Sequence, residues 1–475
     1  MKKHTLLLSI GLASLAMNAS AQNEFQRDTV AMEEGYQKTV FYSLDTKNKT
    51  SIENNSWDLA FRTTPMTVGL YANQATKNWD VLQLFVESSN EALTAEDKFM
   101  TDLTAEFDNL SSSQDVDDFK LFNSISTWDT GAFNQWTPED PQTNFNLGWG
   151  MYDMSTHKIV GQKVFVISKA AASPGAPIDQ NAPKYKIFVK EHDPMSAERS
   201  WEFWYAALDA TTEAEITKIT FNGADYGDKL FTYFNLADEE FINNEPDADT
   251  WDLTFTRYKK LVTQGQQTLW YGVTGVLLNN QTAAFGALDI TEDPDTDDDE
   301  VFNFIEWGDD ITLSNEDIDV IGRAWRGGNE ADEYKIIPNA YFVKSKENKT
   351  YHIRFRKAAL GGAAPEGLEP GDIVFEYKMV DDGVSVSEWR NDYSFEVYPN
   401  PATDKITLRL ENNAKPQVGE VVVTDMNGRH LLVKNQNLNI GTQTLEVDLS
   451  TLTSGMYMVY IQLDQGLISK KVVKK

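Results

Sequence analysis

The sequence predicts an all-β chain with some minor helix, arranged as two duplicated antiparallel β-sandwich-like domains and a small C-terminal β-sandwich. Three observations lead there. The word Trp57-Asp58-Leu59-Ala60-Phe61 returns as Trp251-Asp252-Leu253-Thr254-Phe255, 194 residues later. Around each copy, short apolar runs separated by turn residues recur in one order, without the alternating helical patterns of a parallel βαβ sheet. Near the C-terminus, Asn427-Gly428 lies between two apolar runs, a hairpin signal. In both words Trp, Leu and Phe stand at i, i+2 and i+4, so they are expected on one strand face, with Asp and Ala/Thr on the other.

At 475 residues the chain is too long for one core. The expected divisions are a signal peptide at 1–21, a first copy at 22–215, a second at 216–392 and a separate C-terminal domain at 395–475. Lys2 and Lys3, the mostly apolar run Thr5 to Met17 and Ala19-Ser20-Ala21 before Gln22 read as a cleavable secretory signal. No later stretch approaches the ~18 uninterrupted apolar residues of a spanning helix. With no Cys, disulfides, thiolate metal sites and Cys nucleophiles are excluded. The net charge is −31. Because residues 395–475 hold 9 Lys/Arg against 8 Asp/Glu, the acidity lies upstream. Such a field repels nucleic acid and anionic lipid, and it suits cation binding or solubility at a cell surface.

In order, the mature chain shows strand words at Tyr36 to Leu44, the first Trp-Asp word, and Trp79 to Val86. An acid- and Ser-rich stretch from 87 to 120 is expected to hold a helix around Ala95 to Leu110. Strand words follow at Phe145 to Tyr152, Gln162 to Ser168, Lys184 to Lys190 and Trp201 to Leu208. Downstream the order repeats: Lys229 to Leu236, the second Trp-Asp word, Trp270 to Leu278, Ile321 to Trp325, Ala340 to Ser345, Thr350 to Lys357 and Asp372 to Tyr377. The offset falls to 177 residues at Phe165/Phe342, so loop lengths differ between the copies.

These words, above all Trp-Asp-Leu-Ala-Phe, Gly148-Trp149-Gly150 and the Phe-Val-Ile-Ser-Lys and Tyr-Lys-Ile-Phe-Val strands, resemble the HmuY-like β proteins of the Bacteroidota. The resemblance implies a surface protein holding haem between axial His or Met side chains. The donors in the corresponding loops are Met66, Met151, Met154 and His157, and both residue types can ligate haem iron. The second copy has no Met or His at matching places. His352 alternates within a strand and is expected at a surface or cross-strand position; His192 is expected in a turn.

A second candidate is the acidic run Glu292 to Glu300, where Asp293, Asp295, Asp297 and Asp299 offer oxygens suited to Ca²⁺. It lacks the glycine and spacing of a helix–loop–helix calcium loop, and a solvated acidic insertion is the simpler reading. No H-E-x-x-H, G-x-S-x-G or phosphate-binding glycine loop occurs, so no enzyme is expected.

The C-terminal segment carries Tyr398-Pro399-Asn400-Pro401, Asp425-Met426-Asn427-Gly428-Arg429, Ser454-Gly455-Met456-Tyr457 and a Lys-rich end. It resembles the type A C-terminal sorting domain of type IX secretion cargo. That resemblance implies the type IX machinery as a partner, and release or attachment at the outer cell surface. Two functions follow as expectations: a secreted binding protein for haem or a related ligand through the first copy, or a surface adhesin or structural protein that binds a polymer or partner without haem. Exposed Trp and Tyr able to stack on sugars also admit a lectin-like role.

Overall fold

The structure, a computed structural model, describes residues 24–475 except 88–92, 141–142, 144, 170–181, 265–266, 281, 289–306, 309–310, 328–334, 338, 361–363, 382–392, 413–415, 426–429 and 464–465. The expected signal peptide lies outside the described residues. The chain is mostly antiparallel β, as expected. It divides into two compact units that meet in sequence at Val380/Asp381.

In the first unit the strands form two similar sandwiches, each a large sheet facing a small one. One large sheet runs Thr217–Asn222, Ser200–Ala207, Lys184–His192, Lys163–Lys169, Trp79–Val86 and Lys120–Leu121. Its small partner runs Glu240–Ile242, Phe231–Asn235, Leu59–Arg62 and Leu70–Ala72. The other large sheet runs Gln26–Ala31, Asp372–Asp381, Thr350–Ala358, Asn339–Lys344 and Ala283–Leu288. Its small partner runs Lys49–Glu53, Lys38–Tyr42, Leu253–Gln264 and Gln267–Leu278.

This order means that the two copies exchange their opening strands. Lys38–Tyr42 pairs with the strand of the second Trp-Asp word, Tyr42 opposite Leu253 and Val40 opposite Phe255. Phe231–Asn235 pairs with the strand of the first, Phe234 opposite Leu59 and Thr232 opposite Phe61. Likewise Gln26–Ala31 closes on Asp372–Asp381, while Thr217–Asn222 closes on Ser200–Ala207. The two cores follow the exchange. One gathers Val30, Tyr42, Leu253, Phe255, Trp325 and Phe375; the other gathers Leu59, Phe61, Trp149, Phe203, Phe221 and Phe234.

Two sequence alignments between the copies change. Trp270 to Leu278, expected as the counterpart of Trp79 to Val86, is instead the hairpin partner of the Trp-Asp strand, as Leu70–Ala72 is in the first copy. The strand equivalent to Trp79–Val86 is Ala283–Leu288, since each pairs with the Phe165 or Phe342 strand. Its composition, AAFGAL, is too small and too weakly patterned to stand out beside the aromatic run before it. The Trp of each word also leaves its expected face. The strand begins at Leu59, two residues after Trp57, and Trp57 packs with Ala60 and Tyr233 while Leu59 and Phe61 enter the core on the opposite side.

The helical expectation near 95–110 appears as Ala95–Phe99 and Thr104–Ser111. Thr94 and Asp97 form a capping box, and Asp102 accepts the Thr104 N–H at 2.9 Å, which restarts the chain after a break. Phe99, Leu103 and Phe107 cover the outer face of the large sheet against Val164, Phe188 and Trp204. With both faces buried, these strands read as nearly continuous apolar runs. Gly148 has φ +90°, and a Cβ there would lie 2.1 Å from Asn134 Cα, so only glycine lets Trp149 enter the core.

The second unit packs the sheet Tyr393–Tyr398, Lys405–Asn412 and Gly441–Asp448 against His430–Leu438, Gln417–Asp425, Gly455–Leu463 and Gly466–Lys474. The Tyr-Pro-Asn-Pro word and the Lys-rich end belong together. Asn400 Nδ2 donates to Lys471 O at 2.7 Å, the Val473 N–H donates to Asn400 Oδ1 at 2.9 Å, and Ala402 bridges Lys474.

Candidate binding site

The Asp of each Trp-Asp word fastens the strand received from the other copy. The Leu236 N–H donates to Asp58 Oδ2 at 2.9 Å, and the Leu44 N–H donates to Asp252 Oδ2 at 2.6 Å. Asp58 Oδ1 also accepts Trp79 Nε1–H and Lys77 Nζ, whereas Asp252 Oδ1 accepts the Lys346 N–H. Asn73 and Asn279 repeat the same role beside them: each donates Nδ2 to the backbone carbonyl of its own Trp, Trp57 or Trp251. Burial raises the Asp252 carboxyl to about 6, against the pull of these N–H donors.

The clamps turn both Trp residues, and the Ala60 and Thr254 faces of the strands, toward the seam between the halves. A cluster forms there from Phe41, Ile52, Tyr71, Phe231, Tyr233 and Trp251, with Trp57 and Trp128 against it. It lines a half-open cavity of about 100 Å³ bordered by residues of both copies. Its lining holds donors with no protein partner: Trp57 Nε1, Trp251 Nε1, Thr254 Oγ1 and Arg257 Nε. Trp251 and Thr254 are almost fully buried.

The one acid among the described lining residues is engaged. Glu245 accepts the Leu230 and Phe231 N–H groups and the Tyr233 hydroxyl, and burial lifts its carboxyl to about 7. Asp80 pairs with Lys259 at 3.0 Å. Arg257 has no carboxylate partner among the described residues; one Nη2 bond reaches Gly272 O at 3.3 Å and its guanidinium lies 5.0 Å from the Tyr36 ring centre.

The donors singled out for haem lie elsewhere. Met151 is half-buried on the short hairpin Gly150–Tyr152/Ile159–Gly161, opposite Val160. Met154 and His157 sit on its exposed tip, where His157 Nδ1 meets the Tyr152 hydroxyl at 2.6 Å. Met66 is on a neighbouring loop tied by its N–H to Pro194 O, and its side chain is 76% exposed. Haem needs two donors facing each other across an apolar slot. With Met66 and Met154 in solvent and His157 given to Tyr152, these residues do not make such a slot by themselves. Among the described residues no group of three His, Asp or Glu converges as a metal site. Asp293, Asp295, Asp297 and Asp299 lie outside the described residues.

His192 is not in a turn: it ends the strand Lys184–His192, buried, stacked on Trp201 at 3.7 Å, with Nδ1 and Nε2 each 2.9 Å from a backbone carbonyl, of Ser200 and Thr67. Burial pushes its imidazole down to about 4. His352 is cross-strand to Phe342 as expected, but buried rather than at the surface, and it too falls to about 4.

Sequence reasoning missed the cavity because its walls come from segments more than 200 residues apart, such as Phe41 and Trp251. The available signal was the Ala60/Thr254 position, a small side chain on the strand face opposite Leu and Phe. A comparison with curated proteins gives no match for the chain. No family match stands behind the HmuY-like resemblance of the upstream copies. Residues 396–475 match the secretion system C-terminal sorting domain family, so this tail marks the chain for type IX secretion to the outer surface or beyond.

Proposed function

We propose that the chain is a non-catalytic surface binding protein that holds the terminal ring of a surface polymer in the cavity between its two halves. The single observation that carries this is the cavity itself, walled by aromatic side chains from both copies and bordered by donors without protein partners. Aromatic faces bind sugar rings by stacking, and unpartnered donors call for acceptor oxygens from a ligand. By scale, an apolar cavity of about 150 Å³ holds one benzene ring, so this half-open space of about 100 Å³ takes only one edge of a terminal sugar ring, the rest of which stays at its open side. Haem on the first copy is the other reading, and the exposed positions of Met66 and Met154 support it less well.

A glycan array probed with the mature chain tests the proposal. Binding that falls at least tenfold in Ala60→Leu, which fills the cavity from one wall, is the expected result. Absence of binding, or binding indifferent to that change, overturns it. Haem added to the same protein checks the competing reading: a Soret band abolished by Met154→Ala/His157→Ala would return the function to haem.

A further inference from the structure

We infer that the ring held in this cavity carries a carboxylate, as in a terminal uronic acid. This deepens the reading given under the proposed function and rests on it. Four observations point to it together. The unpartnered polar atoms in the lining are two indole N–H groups, a hydroxyl and a guanidinium Nε; the indoles and the guanidinium can only donate. Arg257 is a half-buried cation with no carboxylate partner among the described residues, in a chain of net charge −31 where acids are abundant. The neighbouring Lys259 is already neutralised by Asp80 at 3.0 Å, so the free positive charge at the cavity belongs to Arg257. Glu245, the one acid among the described lining residues, is committed to Leu230, Phe231 and Tyr233.

A half-buried guanidinium without a counter-charge is costly, and a planar carboxylate meets its fork geometry. The aromatic walls favour a ring behind that carboxylate over a bare inorganic anion, whose hydration they would strip without replacement. The terminal pyranose of an acidic polysaccharide supplies both features.

Isothermal titration of the full mature chain near neutral pH tests this with four probes: glucuronate, its neutral methyl ester, glucose and inorganic sulfate. Glucuronate is expected to bind at least tenfold more tightly than any of the others. Arg257→Met should erase that preference, bringing glucuronate binding down to that of its methyl ester, and Thr254→Val should weaken glucuronate severalfold with the fold intact by circular dichroism. Equal binding of glucuronate, its ester and glucose overturns the carboxylate and leaves the cavity reading standing. Sulfate binding as tight as glucuronate, lost in Arg257→Met, overturns the ring. If none of the four binds, the carboxylate inference fails; the cavity reading falls with it only if the glycan array is also blank.

Discussion

Asp58 accepts the backbone N–H of Leu236, 178 residues away, at 2.9 Å, and Asp252 does the same for Leu44 at 2.6 Å. The pair explains why the Trp-Asp word recurs. Each Asp is a buried acceptor that fixes a strand donated by the other copy, at the point where the backbone of the word is also paired through Phe234 O or Tyr42 O.

Removing this acceptor should be expensive. Asp58→Ala leaves the Leu236 N–H and Trp79 Nε1–H buried without partners, which costs about 3 kcal/mol. Urea denaturation of the mature chain checks this, with the exposed Asp108→Ala as a control expected to change stability by less than about 0.5 kcal/mol. Equal effects would mean that the clamp contributes nothing.

The exchange of opening strands predicts which fragments fold. Residues 54–242 contain one complete sandwich, including Phe221 and Phe234. Residues 22–215 lack those two side chains and carry the hairpin that belongs to the other half. Expressed separately, 54–242 is expected to be soluble with dispersed amide signals in NMR, and 22–215 to aggregate. The reverse outcome would refute the exchange.

Acidification should act through His192 and His352. Burial holds both near 4, below the ordinary value of 6.5, so the neutral forms favour folding. Their contribution is complete above pH 6.5 and is lost as the pH falls from there toward 4, up to about 3 kcal/mol for each. Glu245 runs the opposite way. Its carboxyl is raised from 4.5 to about 7, so its contribution is complete below pH 4.5 and is lost as the pH rises through 7. Glu245→Gln therefore gains relative to the unchanged chain by about 3 kcal/mol between pH 4 and pH 8. Denaturation midpoints across that range test the sign, and a flat difference would rule out a raised Glu245.

A buried ion pair offers another test. Lys163 Nζ meets Asp140 Oδ2 at 2.7 Å with both side chains almost wholly buried. Asp140→Ala strands a buried ammonium and should cost about 3–5 kcal/mol. Lys163→Met in the same background should recover most of that loss by thermal melting; no recovery would show that the cost arises from Thr137 and Gln83, which also use Asp140.

Sequence alone determined the β class and the tail, because each is a local pattern, and the repeat, because the same local words recur in one order. Period-two alternation, turn residues and the Tyr-Pro-Asn-Pro word depend on near neighbours, and the tail then matched its family over 396–475. A helix near Ala95 to Leu110 was expected from the sequence, whereas its break into Ala95–Phe99 and Thr104–Ser111 was not. What only the tertiary structure decided is which copy each strand serves. Lys38–Tyr42 could pair with either Trp-Asp strand on composition, since both present Leu and Phe to it. The choice is made by long-range hydrogen bonds such as that from the Leu44 N–H to the Asp252 carboxylate, and by the cores they close. The cavity follows from that choice, because the seam that brings Trp57, Trp251 and Arg257 together exists only once the strands have crossed.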